Sequence, residues 1–156
     1  MSARRAYAAN TKVPVDRSKV ELERLLVRHG AAQYGTAHME EAAIVFFTIA
    51  KRHIRLQIPL PGAELRGDRR EQVIRSRWRS MLLICKAKLE IVEMKLSTIE
   101  REFLADITLP DGTSVGEWLR PGIEKAYLGG AMPRMLGMGP SNVQIHDATL
   151  EEETEP

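Results

Sequence analysis

The spacing of apolar residues along the chain changes period twice. In "SKVELERLLVRHG" (18–30) they recur every three or four positions, the spacing of a helix with one buried face. In "RHIRLQIP" (52–59) they alternate, with Ile54, Leu56 and Ile58 on one side and His53, Arg55 and Gln57 on the other. That is the pattern of a half-buried strand. The preceding "AAIVFFTIA" is apolar on both sides, as a middle strand should be. "AAQYGTAHM" forms a weaker first strand, with a turn at Glu40–Glu41. The helical period then returns over residues 69–96, where Ile74, Trp78, Met81, Cys85, Leu89, Val92 and Leu96 form one stripe. The fold class expected is α+β: an α-β-β-β-α core, in which a three-stranded antiparallel meander packs on one long helix, plus small C-terminal helices.

Helix starts are marked by four Ser/Asp-x-x-Glu boxes, "SKVE", "DRRE", "STIE" and "SVGE". In each, the first side chain takes a free backbone N–H and the Glu reaches back. They predict helices over about 19–29, 69–96, 98–106 and 115–119. Gly30 should stop the first, and "RPG" (120–122) should break the last, with a short helix resuming over 121–128. "LPDG" (109–112) reads as a turn. Residues 1–15 are expected to be an N-terminal arm, 16–130 a single α+β domain, and 131–156 a flexible acidic tail.

At 100° per residue the long helix carries Arg75, Arg79 and Lys86 on one flank of its core stripe. Arg70, Arg77, Lys88 and Lys95 lie on the other. Leu83, Ala87, Ile91 and Met94 form a second apolar stripe in the C-terminal half only, so something must cover that half twice: residues 98–128 or another subunit. Trp78 and Trp118 are both expected in the core.

Charge sharpens this picture. The net charge is +2, but residues 1–100 hold 19 Lys/Arg against 11 Asp/Glu, and residues 101–156 hold 4 against 10. Residues 51–88 alone hold 11 against 3. Basic charge concentrated in a quarter of the chain favours a polyanionic partner.

Catalytic chemistry is not signalled. The second and third strands carry no Asp or Glu to hold a divalent cation, so a metal-dependent nuclease is disfavoured. His29, His38, His53 and His146 have no ligand spacing, and the single cysteine, Cys85, sits on the core stripe as an inert thiol. "LGGAMPRMLGMGP" lacks the GK[ST] end of a phosphate loop, and no Ser lies in a G-x-S-x-G elbow. No catalytic residue, metal or cofactor is expected. No apolar run approaches the roughly 18 residues of a membrane span, and the N-terminus has no secretory pattern. A cytoplasmic protein with no membrane partner is the expectation.

Three stretches together, "YAANTKVPVDRSKVELERLLVRHGA", "RWRSMLLICKAKLEIVE" and "LPDGTSVGEWLRPGIEKAYLGGAMPRML", resemble a family of uncharacterised bacteriophage and prophage proteins. The resemblance covers roughly residues 7–136. It implies a phage-type accessory role in the host cytoplasm and no particular activity.

Two readings of the basic quarter stay open. In the first, it binds nucleic acid, single strands favoured, through Arg52, Arg55, Arg66, Arg69, Arg70, Arg75, Arg77 and Arg79. Either Phe46 or Phe47 must share a face with His53 and Arg55, and an aromatic beside cations on a sheet is a platform on which bases stack. Here the arginines are expected to be solvent-exposed. In the second, the protein is a structural or interaction module, a homo-oligomer, whose arginines flank a core stripe.

Overall fold

The computed structural model describes residues 8–129. The start of the expected arm (1–7) and the expected acidic tail lie outside the described residues. Among the described residues, those up to Pro121 form one compact unit, and those from Gly122, the end of a helix, belong to a second.

Helix α1 (Val15–Arg28) begins three residues before its expected cap. Pro14 is extended at φ −60° and ψ 153°, and its carbonyl accepts the Ser18 N–H at 3.2 Å. A proline with preset φ starts the helix, so Ser18 is a buried residue of the first turn and caps nothing. At the other end Gly30, at φ +83°, lets its own N–H reach Val27 O and the Ala31 N–H reach Leu26 O. This paired closure needs a left-handed residue, and glycine takes it without strain.

The strands β1 (Gln33–His38), β2 (Ala42–Ile49) and β3 (Arg52–Pro59) form an antiparallel sheet in the order β1-β2-β3, as expected. β2 and β3 are joined through Ala50 and Lys51, both at positive φ (48° and 61°), the signature of a tight hairpin whose twist matches the strands. The two-residue turn fixes the register: Phe46 lies opposite Arg55 and Phe47 opposite Ile54. On the inner face, Ala43, Val45, Phe47, Ile49, Ile54, Leu56 and Ile58 are buried.

The long helix α2 runs over Gly67–Glu93. Arg66 stands at its N-cap without a side-chain bond, so Asp68 sits inside the first turn and only complements the helix dipole. Expected to reach Leu96, the helix stops earlier because Lys95 turns left-handed (φ +59°). The Lys95 N–H then reaches Val92 O and the Leu96 N–H reaches Ile91 O. Leu96 is therefore off the core stripe and exposed. Trp78, Leu82, Cys85 and Leu89 are buried against the sheet and against Leu22, Leu25 and Leu26 of α1. Ile74, Met81 and Val92 pack around them half-buried. Burial pushes the Cys85 thiol up to about 12, which leaves it a neutral core group at ordinary pH.

After α2, Thr98 rather than Ser97 caps the short α3 (Ile99–Glu102), accepting the Arg101 N–H at 3.2 Å. A 3-10 turn (Leu104–Asp106) follows, and Phe103 meets Phe47 edge-on, centroids 5.5 Å apart. Thr108 N–H donates to His53 O at 2.8 Å, extending the sheet slightly beyond β3. The box at Ser114 forms as expected: Ser114 N–H to Glu117 at 2.7 Å, and Glu117 N–H to the Ser114 hydroxyl at 3.1 Å. Helix α4 (Val115–Gly129) then continues through Pro121, where a break was expected. The proline removes one hydrogen bond of the ladder without ending the helix. Trp118, expected in the core, is exposed.

The second stripe of α2 stays uncovered. Ile84, Ala87, Ile91 and Met94 are exposed and Leu83 is half-buried. No described helix is long and apolar enough to cross a membrane.

Candidate nucleic-acid interface

The basic residues singled out from the sequence do not share one surface. Those of α2 lie on the helical side of the sheet, and most of them hold the fold together. Arg79 donates to Glu21 of α1 at 2.6 Å, and its side chain is only 26% exposed. That hydrogen bond, chiefly, holds the Glu21 carboxyl below the usual carboxylate range, with Arg17 at 3.1 Å adding to it. Arg75 donates to Gln72 at 2.8 Å. Gln72 in turn ties the arm down by donating to the carbonyls of Ala9 and Thr11, each at 2.9 Å. On the opposite flank Arg77 donates to the Pro59 carbonyl and Arg70 to that of Glu40 at 3.3 Å. These flanks match the helical projection. Solvent exposure of the group does not hold, because arginine stems lie along the packed seams and their heads cap carbonyls at the sheet end. Arg66 and Arg69 differ: both are exposed, and neither makes a hydrogen bond or ion pair with a described residue.

On the outer face of the sheet, the register sets three rows side by side: Gln33, Thr48 and His53; Gly35, Phe46 and Arg55; Ala37, Ile44 and Gln57. Of the two phenylalanines, Phe46 is the outer one, 46% exposed, and Phe47 is buried at 2%. Phe46 lies over Gly35, where an added Cβ would come within 2.5 Å of its ring. Glycine opposite an aromatic lets the ring settle onto the backbone of the edge strand. Thr48 and His53 are hydrogen-bonded at 2.9 Å.

Arg55 is 3.3 Å from Glu117, and Arg52 is 3.5 Å from Glu100 at the hairpin end. Both pairs are open to solvent, with Arg55, at 35%, the least exposed of the four side chains, and so hold their arginines weakly. Beside Arg55 a cleft of about 250 Å³ is lined by Gln57, Asp106, Ser114, Glu117 and Arg120 as well. Burial raises the Asp106 carboxyl above its ordinary range, while Lys88, 3.9 Å away, pulls it down. Among the described residues, no three His, Cys, Asp or Glu side chains are grouped to hold a metal ion.

Sequence reasoning missed Gly35, Glu117 and Arg120. Counting outward from the two-residue hairpin pairs Phe46 with Arg55 and selects the outer phenylalanine. Nothing in the sequence places α4 beside β3. No protein-family model, curated protein or solved structure matches this chain.

Proposed function

We propose that this protein binds single-stranded nucleic acid on the outer face of its sheet. One observation carries the reading: Phe46 is half exposed, seated on Gly35 and next to Arg55 on a face that also carries Thr48, His53 and Gln57. A large apolar ring in such a position is a stacking surface for an unpaired base, and the cation beside it suits the adjoining phosphate. His53 and Gln57 supply further hydrogen-bonding groups around it, whereas Arg52, paired with Ile49, falls on the inner side at the hairpin end and not beside Phe46. The arginines of α2 act mainly as scaffold in this reading, with Arg66 and Arg69 free to add electrostatic attraction. The resemblance to phage and prophage proteins is in keeping with an accessory role and points to no particular activity.

Fluorescence anisotropy with a labelled oligothymidylate and the matching duplex tests this. Single strands should bind better than duplex, with a log–log salt slope of about −0.7 per phosphate contacted. Phe46→Ala should weaken single-strand binding by roughly 1–3 kcal/mol, the value of one stacked base. Absence of binding at low salt would overturn the reading.

A second reading, a homo-oligomeric interaction module, is favoured by the uncovered face of α2, where Ile84, Ile91 and Met94 are 48%, 37% and 66% exposed. Light scattering after size exclusion tests it. A mass near 17.6 kDa, that of one chain, would overturn it.

A further inference from the structure

Arg55 belongs to two neighbourhoods at once. On one side it stands across the strand pair from Phe46; on the other it reaches into the cleft between β3 and the start of α4. There one oxygen of Glu117, Oε2, accepts the Ser114 N–H at 2.7 Å and lies 3.3 Å from the Arg55 guanidinium. The Ser114 bonds, backbone first, hold the Glu117 carboxyl below the usual range, so it is anionic at neutral pH. Arg120 lines the same cleft and makes no hydrogen bond or ion pair with a described residue. The other carboxylate there, Asp106, already faces Lys88.

A carboxylate and a phosphodiester offer an arginine the same thing: a single negative charge on two acceptor oxygens, matched by the guanidinium fork. Glu117 is anchored to its own helix end through Ser114, so it keeps that bond when Arg55 turns away. Its pair with Arg55 is exposed and therefore readily exchanged.

We infer that the cleft between β3 and α4 is a phosphate subsite, in which Glu117 occupies Arg55 in the free protein and yields it, together with Arg120, to a phosphodiester of the bound strand. This rests on the single-strand reading above. The base stacked on Phe46 and the phosphate taken by Arg55 then belong to adjacent parts of one strand. Glu117 sets a threshold on binding, because any anion entering the cleft must displace it.

Glu117→Gln is the discriminating variant, since glutamine also serves in a capping box and only the charge is removed. Its affinity for oligothymidylate at low salt should rise about three- to tenfold over wild type, the gain shrinking as salt screens it. In an Arg55→Ala background the same change should give no gain, and Arg120→Ala should weaken binding by Glu117→Gln more than by wild type. Unchanged or weaker binding by Glu117→Gln, with its melting temperature preserved, overturns the subsite. So does a gain that persists without Arg55. Loss of binding in Phe46→Ala with no gain in Glu117→Gln leaves the stacking reading standing and removes only this one. No binding by either protein removes both. A check in the wild-type protein guards against misfolding of the variant: the Arg55 Nε–H NMR signal, assigned by its loss in Arg55→Lys, should shift when oligothymidylate is added. A static signal under saturating ligand overturns the exchange.

Discussion

Phe46 and Phe47 are neighbours in the chain and occupy opposite faces of the same strand. Around Phe47, Val45, Ile49, Ile54 and Leu56 are buried on the same face, Phe103 meets the ring edge-on, and Trp78 and Leu89 belong to the same core. Around Phe46, the neighbours are Gly35, Ile44, Thr48, His53, Arg55 and Gln57, and 46% of the residue stays exposed. One phenylalanine contributes through the water it excludes. The other leaves its apolar surface in water, where it contributes little to folding and is available to a ligand. The same division runs through the arginines. Those of α2 sit along the packed side and hold neighbouring elements, whereas Arg55 sits on the open side in a pair that can be exchanged.

The contrast can be broken most sharply at the phenylalanines themselves. Phe47→Ala should destabilise the fold by about 3–5 kcal/mol in chemical denaturation, since it opens a cavity under Phe103 and α2. Phe46→Ala should cost less than about 1 kcal/mol and act on nucleic-acid binding instead. Equal losses of stability would mean that both faces are covered in solution, as oligomerisation would do.

Among the arginines, Arg79→Ala should destabilise by about 1–2 kcal/mol, because it removes a short charged hydrogen bond between α1 and α2. Its pH dependence follows from Glu21. The folded-state pKa of that carboxyl is lowered, so the pair's contribution is fully present above the unfolded pKa, near 4.5, and is lost as pH falls through the lower folded value. Stability of Glu21→Gln against wild type should therefore converge in acid. A difference that stayed constant down the acid limb would show that the ion pair contributes nothing. Simultaneous replacement of Arg75, Arg77 and Arg79 reports on packing more than on binding.

At the hairpin, Lys51→Gly should stabilise the protein by roughly 0.5–1 kcal/mol, because a left-handed residue with a side chain is relieved. Lys95→Gly should do the same at the end of α2. The smallest stability effect is expected at Gly35→Ala, where the new methyl meets only the tip of the exposed Phe46 ring. The ring must move, so strand binding should fall while the melting curve barely shifts. A large loss of stability there would show that Phe46 is held rigidly in place.

How legible each feature was depended on how local its cause is. The period-two run of β3 and the doubly apolar β2 gave the meander, because alternation follows from backbone pleating alone. The Ser114–Glu117 box was legible for the same reason, since cap and partner lie within one turn. The other boxes failed on local competition: Pro14 set the start of α1 ahead of Ser18, and Thr98 took the cap from Ser97. The end of α2 was invisible, because a lysine holds the left-handed position that glycine usually marks.

The sequence by itself determined the α-β-β-β-α order, the stripe of α2 that faces the sheet and the two flanks on which its arginines fall. Each of these follows from helical or strand periodicity acting within a few turns of chain. Only the tertiary structure decided that α2 covers the face of Phe47 and leaves that of Phe46 open. Tertiary packing alone likewise turned Arg77 and Arg79 into struts and brought Glu117 to Arg55 across 62 residues of chain. Sheet pleating dictates that two adjacent phenylalanines must part, but only the packing of other elements makes one face dry and the other wet.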